Sequence, residues 1–189
     1  MLLTLTGGAG AGKTTLAAAL AATAPAGPGT LGVLHGDDYY VTERDRGVWT
    51  ADEAGRWRLD VGDPRSVDTE RLAADAGAAL AGAAVVVVEG LFAHLVAAPA
   101  GRARFDVFVD LPADLRLVRK IQRKCVRDGF PLPVLLHNYL THRRAAHERH
   151  VEPARDRSDL VVDGAPPPEE TARRIWSALT TARPGALGG

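Results

Sequence analysis

The sequence predicts an α/β fold in which a mostly parallel, five-stranded sheet lies between two layers of helices. Three observations lead to this fold class. Short apolar runs of β-type composition alternate with helical patterns along the chain, which is typical of βαβ units joined by right-handed crossovers. The run Val85–Val88 is entirely β-branched, as expected for a central strand buried on both faces. A glycine-rich segment joins the first strand to the first helix.

The elements can be assigned in chain order from their periodicity. Strands are predicted over Leu2–Thr6, Thr30–His35, Ala84–Val88, Phe105–Asp110 and Leu160–Val162. Helices are predicted over Lys13–Thr23, Val67–Ala81, Ala113–Arg127, Pro133–His150 and Glu169–Leu179. Proline and glycine indicate a loop at Pro25–Gly29 and a connector at Ala165–Pro168. We expect a single domain over residues 1–182 and a flexible C-terminal tail over residues 183–189.

The composition excludes several classes of function. The chain has 189 residues, 46% of them hydrophobic, which suffices for one sizeable core. Its 23 basic and 23 acidic residues balance, so no general attraction to nucleic acid or membranes is implied. A single cysteine, Cys125, excludes an internal disulfide and a Cys-rich zinc site. We expect a cytoplasmic protein without a nucleic-acid or membrane partner, and we leave a homo-oligomer open.

The segment GGAGAGKTT matches the phosphate-binding pattern G-x-x-x-x-G-K-[ST], the P-loop. Glycines let backbone N–H groups turn toward phosphate oxygens, and the following helix presents its positive N-terminal end to the same anion. We expect Lys13 to reach the β- and γ-phosphates of ATP and the Thr14 hydroxyl to bind Mg²⁺. A dinucleotide fingerprint is excluded because it would require glycine at Lys13, and a Gly-rich turn is the alternative. The nucleotide is assigned to Gly7, Gly8, Ala9, Gly10, Ala11, Gly12, Lys13, Thr14 and Thr15.

Two acidic segments are predicted at the same edge of the sheet as the P-loop. HGDDYY follows the second predicted strand, and a carboxylate there can accept a proton from an attacking hydroxyl or hold a metal through water. The Asp37–Asp38 pair is also compatible with a solvated turn. Glu89 follows Val85–Val88, where a buried strand end fixes a carboxylate near Mg²⁺. We therefore expect Mg²⁺ to be held by Thr14, Asp37 and Glu89.

Basic residues are concentrated on one predicted helix. The stretch RLVRKIQRKCVR contains Arg116, Arg119, Lys120, Arg123, Lys124 and Arg127, and most of these are three or four residues apart, so we expect them to share a face. Like charges on one face repel each other, and a bound anion would neutralise them. We expect this anion to be the γ-phosphoryl group of ATP, on which charge shifts in the transition state. Arg119 and Arg123 are predicted to be catalytic and Lys120 to bind ATP. An exposed basic helix without a ligand is the alternative.

In order, these segments resemble the uridine kinase family, which is related to the phosphoribulokinase, pantothenate kinase and nicotinamide riboside kinase families. The resemblance runs from residue 2 to about Gly164. HGDDYY is similar to the family's D-S-F-Y type motif, and VVVVEGLFA to its E-G-[IV]-L type segment. FVDLPADLRLVRKIQRK and HNYLTHRRAAHERHVEPARDRSDLVVDG continue the resemblance. It implies a three-layer P-loop NTPase fold with a helical lid over about residues 113–130.

The resemblance also implies roles for single residues. Asp37 takes the place of the catalytic aspartate, which accepts the proton of the substrate's primary hydroxyl, whereas Asp38 takes the place of a serine. Tyr40 falls at a substrate-side tyrosine, and Asn138 at a glutamine that faces the nucleoside. RLDVGDPRSVD replaces the family's N-F-D-H-P type segment and keeps only Asp60, which could accept hydrogen bonds from a ribose diol. Lys124 departs from the family's aspartate after the last lid arginine.

The expected function is transfer of the γ-phosphoryl group of ATP, with Mg²⁺, to a primary hydroxyl of a small metabolite, which we expect to be a nucleoside or ribosyl compound. A non-nucleoside acceptor, such as pantothenate or a sugar, is an alternative within the same chemistry. An alternative of another class is a nucleotide-binding regulator or switch NTPase. The absence of an N-K-x-D motif and the water-excluding basic lid speak against a switch.

Overall fold

The computed structural model describes residues 1–25, 30–51 and 55–182. The tail predicted at 183–189 and residues 26–29 of the predicted loop lie outside the described residues. The strands are β1 (Leu2–Thr6), β2 (Thr30–His35), β3 (Trp49–Ala51), β4 (Trp57–Leu59), β5 (Ala83–Gly90), β6 (Arg104–Asp110) and β7 (Leu160–Asp163). Five of them form a parallel sheet in the order β2-β5-β1-β6-β7, which confirms the predicted fold class.

The helices agree with the sequence periodicity in position but differ in continuity. They are α1 (Lys13–Ala22), α2 (Thr69–Ala79), α3 (Ala113–Ile121), α4 (Leu132–Asn138), α5 (Arg144–His150) and α6 (Pro168–Ala182). The helix predicted over 113–127 continues from α3 as a π-helical segment, Gln122–Arg127. A second π-helical segment, Tyr139–Arg143, separates α4 from α5 within the helix predicted over 133–150. Such irregular turns are frequent at functional sites.

The core lies on both faces of the sheet because side chains alternate along each strand. Leu3 and Leu5 of β1 face one helical layer and Leu2 faces the other, and all three are fully buried. The first layer is formed by α1 and α6, and their buried core residues include Leu16, Leu20, Ile175 and Leu179. The second is formed by α2 and the segment around Val151. The molecule therefore has the three layers that were predicted.

The parallel arrangement brings three chain segments to one edge of the sheet. β1 leads into the P-loop, β2 leads into a 3₁₀ turn at Gly36–Tyr39, and β5 ends at Glu89–Gly90. In the sheet register, Glu89 lies opposite both Leu5 of β1 and His35 of β2. This register places the second acidic segment between the P-loop and HGDDYY.

One element was absent from the sequence prediction. β3 and β4 form a short antiparallel pair in which Trp49 is opposite Leu59 and Ala51 is opposite Trp57. The intervening sequence carries none of the two-residue turn signals that identify a hairpin. None of the helices in the described ranges has the length and apolar character that a membrane span requires.

Candidate active site

The P-loop backbone is shaped by its glycines and by the lid helix behind it. Gly10 has φ 90°, and a Cβ atom at this position would lie 2.7 Å from the backbone oxygen of Arg116. A side chain here would therefore be strained and would collide with α3. The Arg116 side chain lies against the same loop, since a Cβ atom on Gly8 would be 2.1 Å from its Nη1 atom.

Lys13 is the first residue of α1, and its side chain turns back over the loop. The residue is only 9% exposed, and its Nζ donates a hydrogen bond to the backbone oxygen of Gly8 at 3.1 Å. Burial lowers the pKa of Lys13, and Glu89 and Asp37 partly offset this effect. A phosphate bound in the loop would favour the charged ammonium further, because opposite charges nearby stabilise it.

Glu89 is buried and joins the P-loop to β2. The Thr14 hydroxyl donates to Glu89 Oε1 at 2.9 Å, and His35 Nδ1 lies 2.9 Å from the same oxygen. The Thr14–Glu89 pair agrees with the predicted metal set. His35 was missed by the sequence analysis, because its contact with Glu89 depends on β2 and β5 being neighbours in the sheet.

These oxygens suit a divalent cation that takes most of its ligands from phosphate and water. Mg²⁺ is usually bound through one or two carboxylates together with substrate phosphates. Thr14, Glu89 and Asp37 border the same cavity and supply one hydroxyl and two carboxylates. Within the described residues, no group of three or more His, Cys, Asp or Glu side chains could hold a metal ion. The roles of these three residues toward Mg²⁺ stay predictions.

The HGDDYY segment is held by its two tyrosines. Tyr39 donates to Asp75 Oδ2 at 2.8 Å, and Tyr40 donates to the backbone oxygen of Val61 at 3.0 Å. Burial raises the pKa of both phenols, that of Tyr39 to about 12. Between these anchors, Asp37 borders the cavity, whereas Asp38 is not among the lining residues. The two adjacent carboxylates therefore occupy different environments.

The cavity has a volume of about 590 Å³ and collects most of the residues predicted from the sequence. It is lined by Ala9, Gly10, Ala11, Gly12, Lys13, Thr14, Thr15, Asp37, Tyr40, Glu89, Arg119, Lys120 and Arg123 from the predicted set. Lys124, Val61, residues of the β7–α6 loop and further apolar side chains also contribute to the lining. This loop approaches the P-loop closely at Gly164, where a Cβ atom would lie 2.5 Å from the backbone oxygen of Ala11.

The basic helix presents part of its charge to the cavity and part of it to other segments. Arg119 Nη1 donates to the backbone oxygen of Gly164 at 3.0 Å, across the cavity mouth. Arg116 turns to the P-loop, and its Nε donates to the backbone oxygen of Leu111 at 2.9 Å. Arg127 is 70% exposed on its side chain and pairs with Asp128 at 3.0 Å. Arg119, Lys120 and Arg123 thus line one cavity, whereas Arg116 and Arg127 make contacts elsewhere.

Two predicted substrate residues lie away from the cavity wall. Asp60 Oδ1 accepts hydrogen bonds from Gly62 N at 2.9 Å and from Arg143 Nη1 at 2.7 Å. Asn138 is exposed at the end of α4 and is not among the lining residues. Their roles toward a substrate stay predictions.

His147 is a largely buried side chain close to the site. Its Nε2 lies 2.8 Å from Glu152 Oε2, and the side chain is 15% exposed. Burial, and secondarily the charge of Arg116, lower the pKa of the imidazole.

Comparison with known proteins places this site in a family. Residues 60–169 match the sequence model of the phosphoribulokinase/uridine kinase family. The chain belongs to this family. A uridine kinase of Chloroflexus aggregans is 25% identical over 188 residues, with 87% of each chain covered. This membership confirms the resemblance that the ordered motifs indicated.

A second relative matches over a shorter stretch, and a solved structure supports the fold. A uridine kinase of Borrelia turicatae is 28% identical over 78 residues, which cover 41% of this chain and only 38% of that relative. The structure of a sugar kinase from Janibacter sp. aligns with a TM-score of 0.60 at 20% identity, covering 98% of this chain and 97% of that one.

Proposed function

We propose that this chain is a Mg²⁺- and ATP-dependent kinase that phosphorylates a primary hydroxyl of a small metabolite, in the manner of a uridine kinase. The observation that carries the proposal is one cavity bordered by Lys13, the Thr14–Glu89 pair, Asp37 and the lid cations. The P-loop and Lys13 would bind the triphosphate. Mg²⁺ would supply charge neutralisation at the phosphates, and Thr14 and Glu89 would help to hold it.

Asp37 would act on the acceptor. Its carboxylate would take the proton of the hydroxyl as that oxygen bonds to the γ-phosphorus, while the bond from the γ-phosphorus to the bridging oxygen breaks and ADP leaves. Arg119 and Arg123 would stabilise the charge on the transferred group. Tyr40 would border the acceptor.

A nucleoside acceptor is supported by the family, although one oxygen of the residue predicted to bind the ribose diol is already engaged. Asp60, which we expected to accept hydrogen bonds from a ribose diol, already accepts two through Oδ1, one of them from Arg143. A pantothenate-like or sugar-like acceptor therefore remains the second candidate. The single domain, the cytoplasmic location and ATP as donor remain parts of the proposal.

The test is the rate of ADP release from ATP–Mg²⁺ with and without each member of an acceptor panel of nucleosides, vitamins and sugars. A kinase should release ADP at least tenfold faster with its acceptor, because water lacks the positioning that a bound hydroxyl has. ADP release at one rate with every acceptor and without any would instead favour a switch NTPase.

A further inference from the structure

Arg119 and Lys120 are neighbours on the lid helix, and both line the cavity. Successive residues of an α-helix point about 100° apart. Arg119 reaches the β7–α6 loop, where it donates to the backbone oxygen of Gly164 at 3.0 Å. Lys120, the next residue, also lines the cavity but forms no ion pair or hydrogen bond within the described part of the chain.

The surroundings of Lys120 are cationic. Burial lowers the pKa of its ammonium, and the charges that lower it further belong to Arg143, Arg123 and Lys124. Among the residues that the structure describes, no carboxylate offsets these three charges at Lys120. A half-buried cation among cations is unfavourable by itself, and a bound anion would reverse that balance.

Arg143 brings a second positive charge close to Val61, which lines the cavity together with Tyr40. Its Nη1 contacts Asp60 at 2.7 Å and would lie 3.1 Å from a Cβ atom on Gly62, the two neighbours of Val61 in the chain, and both Arg143 and Asp60 are half-buried. Tyr40 donates to Val61, next to Asp60, and the pKa of Tyr40 responds to Asp37, Arg143 and Asp60. The Arg143 guanidinium has five N–H donors, and its contact with Asp60 engages only Nη1, so donors remain for an oxyanion.

We propose that the acceptor carries an anionic group, a carboxylate or a phosphate, which binds between Lys120 and Arg143 while the acceptor's hydroxyl lies at Asp37. This inference rests on the proposed kinase function and narrows its substrate class. Lys120 then recognises the acceptor and not ATP. A neutral nucleoside would leave Lys120 without a counter-charge in a half-buried site, since the only pair described there joins Arg143 to Asp60.

The first experiment compares acceptors that differ only in charge. ADP release is measured with pantothenate against panthenol, gluconate against glucitol, and glycerol 3-phosphate against glycerol, with uridine as an additional neutral acceptor. We expect the kcat/KM for at least one anionic member to exceed that of its neutral partner by about 10- to 100-fold, the usual effect of charge-assisted hydrogen bonds. The carboxylate and phosphate pairs distinguish the two anions. Transfer to uridine or to the neutral members alone would overturn the proposal.

The second experiment tests the residues. Lys120→Met and Arg143→Met should each raise the acceptor KM by about 10- to 100-fold while changing the KM for ATP less than threefold. Arg143→Met alone leaves the half-buried Asp60 carboxylate without its partner, which could impair folding. The double variant Asp60→Asn/Arg143→Met removes that unpaired charge and serves as the second variant. Arg127→Met is the matched control, since Arg127 is 70% exposed and pairs with Asp128. An unchanged acceptor KM in folded Lys120→Met and Arg143→Met variants would refute the assignment.

A binding measurement separates this inference from the kinase proposal. Sulfate is titrated calorimetrically into wild type and the two variants, each saturated with AMP-PNP and Mg²⁺. Sulfate binding that weakens in both variants supports an anion site even if no acceptor is phosphorylated, in which case only the kinase proposal fails. Sulfate binding that is absent, or equal in all three proteins, overturns the anion site even if transfer to some acceptor is observed.

Discussion

Replacement of Asp37 by Asn is expected to abolish most phosphoryl transfer while leaving the fold intact. Loss of a positioned proton acceptor lowers rates by about 10²–10⁴-fold, which corresponds to about 3–5 kcal/mol in the activation free energy. Asp37 borders the cavity beside Lys13 and Glu89, so its carboxylate is in reach of the reaction. The side chain is exposed, and such substitutions usually change the free energy of unfolding by less than about 0.5 kcal/mol.

Asp38 provides the matched control for this prediction. It is also exposed, it is not among the cavity-lining residues, and its backbone oxygen accepts a hydrogen bond from Arg71 at 2.9 Å. Asp38→Ser should therefore keep activity within about threefold of wild type, because the side chain takes no part in the site. The assay is single-turnover transfer with saturating ATP, Mg²⁺ and acceptor, together with urea unfolding of each variant.

The two variants together can refute the reasoning. An active Asp37→Asn variant with an inactive Asp38→Ser variant would show that the catalytic carboxylate is the second of the pair. Equal losses in both, accompanied by lower unfolding free energies, would show that the 3₁₀ turn and not the charge was disrupted.

Three further predictions follow from the same geometry. Lys13→Ala should remove most transfer activity in a folded protein, because Lys13 acts on the phosphates; near-normal turnover would contradict the ATP site. Arg123→Ala should lower kcat more than it raises the KM for ATP, since its contact strengthens as charge develops, and a change in KM alone would indicate ground-state binding. Acidification should destabilise the fold through His94, whose pKa is lowered to about 4 by burial and then by Arg157 and Arg104. Because the unfolded state binds the proton more tightly, stability is full above about pH 6.5 and falls as the pH drops toward 4. Thermal unfolding of His94→Gln across this range should show a smaller loss, and an equal loss would exclude His94 as the cause.

The sequence predicted those features that depend on local chemistry. The strands are apolar runs and the P-loop is a contiguous motif, so both could be located without knowledge of the packing. Glu89 could be placed near Thr14 because a β-branched run preceded it and parallel strands share a carboxyl edge. These inferences use only neighbours in the sequence and one general rule of topology.

The missed features are contacts between segments that are distant in the sequence. His35 reaches Glu89 only because β2 and β5 are adjacent, and strand order is not encoded in any one segment. Arg143 reaches Asp60 across 83 positions. Gly164 carries no local signal for its close approach to Ala11. The orientation of Arg116 toward the P-loop likewise depends on where the lid helix packs and not on its spacing.

In the proposed reaction, the ATP-binding side depends mainly on local sequence, and the acceptor-binding side depends mainly on contacts between distant segments. The nucleotide side is built from one contiguous loop and the strand end beside it, and its chemistry can be derived from the residues alone. The acceptor side is assembled from Tyr40, the segment at Asp60–Gly62, Arg143 and one lid lysine, so its selectivity depends on tertiary packing. Arg119 and Lys120 are adjacent on α3 and both line the cavity, so movement of α3 would displace both side chains together. If α3 closes over bound ATP, Lys120 moves toward the acceptor at the same time. The binding of ATP would then be coupled to the binding of an anionic acceptor.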